Sequence, residues 1–139
     1  QQFAVGDQVL SHGLMPILEP EVTISIADKA EAEAILMEEI LTHLNAFPAG
    51  NQVMLKLSLP TVPNFYKPHV DHPGVMKVVA LSGGYSRADA NAILAQNAGM
   101  IASFSRALTE GLSAQQSDAD FDAALADAIS SIYDASVAG

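Results

Sequence analysis

Residues 52–59 read QVMLKLSL, and the rest of the chain is best read outward from them. Apolar side chains fall on every second position, so Val53, Leu55, Leu57 and Leu59 share one face of an extended segment. Met54, Lys56 and Ser58 share the other. A Leu-rich face belongs under helices, and the opposite face carries a single amine. Upstream, Leu36, Ile40, Leu44 and Phe47 have helical spacing. They predict a helix over 28–46, opened by a capping box from Asp28 to Glu31. Before it, residues 14–19 (LMPILE) read as a strand, and residues 1–11 as the end of an earlier helix.

Downstream the alternation continues. A Pro-rich loop covers 60–73, with a turn of helix near Tyr66, and residues 76–82 (MKVVALS) read as the next strand. Ser86 and Asp89 open a helix to about Asn97, with Gly99 as its stop. Residues 100–105 (MIASFS) make a fourth strand, followed by a turn of helix over 106–110. Ser117 with Asp120 opens the last helix, whose stripe is Phe121, Leu125, Ile129 and Ile132. Strands joined by helical crossovers form parallel sheets. Three outcomes fit this α/β order: a doubly wound open sheet, a closed (β/α)8 barrel, or part of either. No linker or low-complexity tract divides the 139 residues, so one domain is expected.

Composition narrows the function. Half of the residues are apolar and 16% are charged, the profile of a folded chain. The net charge is −10 and the six basic residues are scattered, which leaves no phosphate-tracking stripe for nucleic acid. No apolar run approaches the roughly 20 residues that span a bilayer. No signal peptide is evident, so the expectation is a cytoplasmic protein that engages neither nucleic acid nor membrane. With no Cys there is no disulfide and no thiolate zinc site. His69, Asp71 and His72 lie close in the Pro-rich loop, but two imidazoles on a loop lack the third fixed ligand that zinc needs. His12 and His43 read as helix-end residues.

The polar residues of interest fall where the strands end. Glu19 and Glu21 end the first, Lys56 sits late in the second, Ser82, Gly83 and Gly84 end the third, and Ser103 and Arg106 close the fourth. Parallel α/β sheets bind ligands at that end. Lys56 on a predominantly apolar strand is a candidate nucleophilic amine. A lysine near a strand end can equally snorkel to water. Glu19 shares parity with Met15 and Ile17, and Glu21 keeps it if the chain stays extended through Pro20. Two carboxylates near an amine suit acid–base work, although exposed acids at strand ends are common. The LSGGYS run (81–86) joins strand to helix with free N–H groups able to hold a phosphate, and Arg106 could clamp it. Gly-Gly turns and surface arginines also occur with no ligand at all.

Four segments taken in order, GLMPILEPEV (13–22), VMLKLSLPT (53–61), VVALSGGYSRADAN (78–91) and MIASFSRAL (100–108), resemble the signature segments of class I fructose-bisphosphate aldolases, bacterial ones above all. The resemblance runs along essentially the whole chain. It implies a (β/α)8 barrel of which this chain supplies the fifth to eighth strands, the C-terminal half. It implies Lys56 as the Schiff-base lysine and Glu19 as the acid/base that dehydrates the carbinolamine, with Glu21 balancing charge. Ser82, Gly83 and Arg106 would hold a substrate phosphate, with Gly84 and Ser103 beside them. No cofactor is implied, because the iminium does the work of the metal ion in class II enzymes. The residues that the family carries on its first four strands have no counterpart here, nor has the terminal Tyr of vertebrate forms, since Tyr133 lies within the last helix. A half-barrel leaves open edges near 14–19 and 100–105 and an inner face expected to bear Met54, Ala80, Ala102 and Phe104. The implied partners are a sugar phosphate and either a second copy of the chain or a missing N-terminal half.

Overall fold

The computed structural model describes residues 1–139. Helix α1 (Gln2–Ser11) precedes strand β1 (Ile17–Leu18), and α2 (Lys29–Asn45) leads to β2 (Val53–Ser58). Short α3 (Lys67–Val70) leads to β3 (Val75–Leu81), and α4 (Arg87–Leu94) to β4 (Ile101–Ala102). The chain closes with α5 (Arg106–Thr109) and α6 (Asp118–Ala138). All three strand pairings are parallel and the order is β1-β2-β3-β4. Four consecutive βα units, each strand beside the next, make the half-barrel arrangement of a (β/α)8 fold. No helix is long and apolar enough to cross a membrane.

The helices cover one face of the sheet. Leu18, Val53, Leu55, Leu57, Val78 and Ala80 are buried there in one core with Ile40 and Leu44 of α2, Leu94 of α4 and Ala135 of α6. Fully burying a Leu is worth about 1.5–3 kcal/mol, so this layer holds the sheet and its helices together. The other face is the inner face of a barrel, and it is open. The register sets Lys56 beside Val79, and Val79 beside Ile101. Met54 is matched to Ile17 and to Lys77.

That register corrects the expected inner face. Met54 belongs to it, but Ala80 and Phe104 lie in the core beneath the helices, and Ala102 packs against that core. Their places on the inner face are taken by Val79, Leu81, Ile101 and Ser103. A bulge between Val53 and Met54, where the pairing skips from Val75 to Lys77, shifts the phase of β3 against β2.

Other expectations also change. Strands β1 and β4 are shorter than the apolar runs around them, because each pairs on one side only. Asp28 precedes α2 without a side-chain cap, so the predicted capping box is absent. Ser86 and Ser117 do cap: their hydroxyls accept from Asp89 N (3.1 Å) and Asp120 N (3.2 Å). In α6 the buried residues are Ala128 and Ala135, while Phe121 and Ile129 of the predicted stripe are exposed. Small residues let α6 approach closely, and Ile129 faces a groove beside β4.

The free side of β4 is capped by a helix. Ser103 N donates to Ala80 O (2.8 Å), so Ala102 N, one residue earlier, points away from β3. It donates to Ser136 Oγ of α6 at 3.1 Å. Between this edge and α6 lies an apolar groove of about 450 Å³ lined by Ile101, Leu108, Ile129, Tyr133 and Val137, among others.

Candidate active site

The two strand ends that carry acid and amine meet. Leu18 pairs with Leu55, so the next residues in register are Glu19 and Lys56. Their side chains form an ion pair, Lys56 Nζ to Glu19 Oε2, at 3.1 Å. Lys56 is the less exposed partner, its side chain 26% accessible against 51% for Glu19. The amine therefore stands on the open inner face, as its alternation with the buried leucines required.

The third strand ends in a tight turn. Tyr85 N donates to Ser82 O (3.0 Å), and the two residues between, Gly83 and Gly84, have φ of +62° and +107°. Positive φ at both central positions is the geometry that glycine supplies at least cost. At Gly83 space also matters, since a Cβ there would lie 2.9 Å from Ile24 Cγ2. Neither Gly83 nor Gly84 donates its N–H to another backbone group. Arg106 opens α5, and its Nη1 lies 3.8 Å from where a Gly84 Cβ would sit. Two unbonded N–H groups and a guanidinium beside them gather hydrogen-bond donors and positive charge in one corner.

These pieces share one cleft of about 150 Å³, lined by Glu19, Glu21, Lys56, Leu81, Ser82, Gly83, Ser103, Ser105 and Arg106. Every site residue expected from the sequence lines it except Gly84, which stands beside Arg106. Leu81 and Ser105 were not singled out. Ser105 is the last residue of the fourth run (MIASFS), so its closeness to Arg106 was a signal in plain view. Arg87 is a further addition. Its backbone N donates to Glu110 Oε2 (2.7 Å) and its guanidinium to Glu110 O (3.0 Å). The start of α4, just past the glycine turn, is thereby tied to the end of the short helix that presents Arg106.

The loop histidines go separate ways. His69 is fully buried, stacked on Tyr66, with no partner for either ring nitrogen, and burial pushes its pKa down to about 4. His72 Nδ1 accepts from Gly74 N (3.0 Å), and Asp71 pairs with Lys67. The histidine ring nitrogens and the carboxylate of this loop thus face different neighbours.

Two curated proteins are similar to this chain along almost its whole length. The fructose-bisphosphate aldolase class 1 of Synechocystis is 55% identical over 137 residues, which cover 99% of this chain and 46% of that protein. The fructose-bisphosphate aldolase class 1 of Porphyromonas gingivalis is 56% identical over 137 residues, with the same coverage. The chain thus spans about half the length of the curated relatives it matches. No protein-family model matches it.

Proposed function

We propose that this chain carries the Schiff-base part of a class 1 fructose-bisphosphate aldolase site, cleaving fructose 1,6-bisphosphate reversibly to dihydroxyacetone phosphate and glyceraldehyde 3-phosphate in glycolysis. The observation that carries the proposal is the single cleft in which Lys56 meets Glu19 at one end and the glycine turn meets Arg106 at the other. Identity of 55–56% to aldolases supports the substrate.

Lys56 gives its ammonium proton to Glu19, and the freed amine attacks the C2 ketone, forming a C–N bond while the carbonyl electrons pass to oxygen, which takes a proton from the nitrogen to become the carbinolamine hydroxyl. Glu19, in contact with Nζ, protonates the carbinolamine hydroxyl, which leaves as water and yields the iminium. Glu21 lines the same cleft and balances the positive charge. Glu19, left as a carboxylate by the dehydration, takes the C4 hydroxyl proton, the C3–C4 bond breaks, and its electron pair flows into the iminium. The aldehyde leaves and an enamine remains on Lys56. Protonation at C3 and addition of water release the ketone product and regenerate the amine. Gly83, Gly84, Arg106, Ser82 and Ser103 hold a phosphate of the substrate, which positions the ketone over Lys56. No metal or organic cofactor enters this scheme.

The open edges at Ile17 and Ile101 call for four more strands to close the barrel, from a second copy or from a separate N-terminal half. Such an assembly acts on a sugar phosphate in the cytoplasm. The test is reduction with borohydride in the presence of dihydroxyacetone phosphate. The expected result is a stable adduct on Lys56. Labelling at another lysine, with Lys56→Met still reactive, would overturn the assignment.

A further inference from the structure

We infer that Ser58 is a positioning residue that sets the Glu19–Glu21 segment against the Lys56 amine. The inference rests on the Schiff-base reading of Lys56 and adds to it a residue which that reading does not use. The ladder between β1 and β2 ends with Leu18 and Leu55. Beyond it the backbone pairing with β2 is not continued by Glu19, Pro20 or Glu21. Pro20 has no N–H with which to extend the ladder. Both acids of the site lie in this unpaired stretch.

The first firm contact after it is at Val22. Ser58 Oγ donates to Val22 O at 2.9 Å and accepts from Val22 N at 2.9 Å. A hydroxyl has one donor and two acceptor sites, so a single side chain here satisfies both polar groups of one peptide residue. Ser58 is 1% exposed and Val22 7%, so water does not compete for these bonds. Ser58 shares the strand face of Lys56, two residues further along β2. The hydroxyl thus takes over as a ladder rung where the backbone rungs stop. At the other end of the stretch, Glu19 N donates to Gln2 Oε1 (3.1 Å). Glu19 and Glu21 are held between these two anchors.

The same part of β2 has a separate structural clamp. Lys29 donates to Leu59 O (2.9 Å) and Thr61 Oγ1 (3.1 Å), and Glu33 accepts from Thr61 N (3.1 Å). Lys29 and Glu33 therefore hold the strand end to α2 whether or not Ser58 keeps its hydroxyl. This makes Ser58→Ala a test of position with the fold preserved.

The experiment measures the rate at which borohydride and dihydroxyacetone phosphate label Lys56 as a function of pH. Wild type, Ser58→Ala, Ser58→Thr and Ser58→Cys are compared, with circular dichroism reporting the fold. A folded Ser58→Ala should label about tenfold or more slowly, the order of loss that misplaced acid–base groups bring. Its pH profile should shift, because the carboxylates no longer sit at a fixed distance from the amine. Ser58→Thr, which keeps the hydroxyl, should restore rate and profile. If Ser58→Ala does not fold, Ser58→Cys, close in size but a weak hydrogen-bonding partner, is read the same way. Wild-type rate and profile in folded Ser58→Ala or Ser58→Cys would reduce Ser58 to a structural role and overturn the inference. A wild-type chain that takes no label at Lys56 would overturn the Schiff-base reading, and with it the reaction Ser58 is inferred to serve.

Discussion

Lys56 Nζ and Glu19 Oε2 stand 3.1 Å apart although 37 residues separate them in the chain, because β1 and β2 are parallel neighbours whose register ends one residue short of both. The pair makes separable predictions. Lys56→Met removes the amine and should abolish trapping with dihydroxyacetone phosphate. Glu19→Gln keeps the amine and removes the acid, so trapping at Lys56 should persist at a rate lower by about 10²–10⁴-fold, the usual contribution of a positioned acid–base group. Undiminished labelling in Glu19→Gln would remove Glu19 from the dehydration step.

Phosphate binding should depend on Arg106 and on the glycine turn in different ways. Arg106→Ala removes a charge-assisted contact worth about 1.5–3 kcal/mol and should weaken inorganic phosphate by roughly 10- to 100-fold, read by calorimetry. Gly83→Ala forces a Cβ to within 2.9 Å of Ile24 Cγ2 at φ +62°, so it should also lower thermal stability by about 1–2 kcal/mol. Equal phosphate affinity in wild type and Arg106→Ala would place the anion elsewhere.

How much of this was legible in the sequence varies by element. Alternation in residues 52–59 placed Lys56 on the open face, and Ser86 and Ser117 announced their helices. The inner face of β3 and β4 was misread because runs such as VVAL and MIASF are apolar at consecutive positions and so do not show which parity faces inward; the register that decides it, Lys56 beside Val79 and Val79 beside Ile101, is set by tertiary pairing. Of the α6 stripe, Ile132 packs against the core as expected, but Phe121 and Ile129 were misread, because the fully buried contacts of the helix are Ala128 and Ala135, and alanine carries little weight in an apolar pattern. Ser58 was visible only as a polar residue on a strand. Its bonds to Val22 span 36 residues and belong to tertiary structure alone.

The buried pair Lys29–Glu33 should behave as a structural clamp. Glu33 is 2% exposed, and Lys29 also donates to Leu59 O and Thr61 Oγ1. Glu33→Leu alone leaves a buried ammonium without its counterion and should cost about 3–5 kcal/mol in urea unfolding. The double variant Lys29→Met, Glu33→Leu removes both charges and should regain most of that loss. Similar stability of single and double variants would contradict the clamp.

His69 should make folding sensitive to acid. Burial and the neighbouring His72 lower its pKa from 6.5 to about 4, so the folded chain keeps it neutral where the unfolded chain protonates it. Between those values the unfolded state binds more protons, and stability falls as pH drops from 6.5 toward 4. The loss approaches about 3 kcal/mol at the acid end. His69→Phe keeps the ring against Tyr66 and lacks the titration, so its stability should decline less over the same interval. Parallel declines of both proteins in urea midpoint would assign the acid sensitivity to other groups.

Association should be governed by the two free strand edges. Neither is covered by a strand, and a helix side chain holds one N–H at each: Glu19 N, just past β1, donates to Gln2 Oε1 (3.1 Å), and Ala102 N of β4 donates to Ser136 Oγ (3.1 Å). A second copy that docks β1 against β4 must displace this hydroxyl, and the apolar groove beside it must be filled. Ser136→Ala releases the Ala102 N–H, and one neutral hydrogen bond of about 1 kcal/mol predicts self-association roughly fivefold tighter. The charge of −10 on each copy opposes pairing, so added salt should strengthen it in both proteins. Placing a charge in the groove with Ile129→Glu should reverse the gain. Aldolase turnover by the 139-residue chain should lie at least about a thousandfold below that of a full barrel and rise with chain concentration, as a site rebuilt from two copies requires. Light scattering that shows one compact monomer for wild type and Ser136→Ala alike at micromolar concentration would exclude edge pairing, and turnover independent of concentration would exclude a shared site.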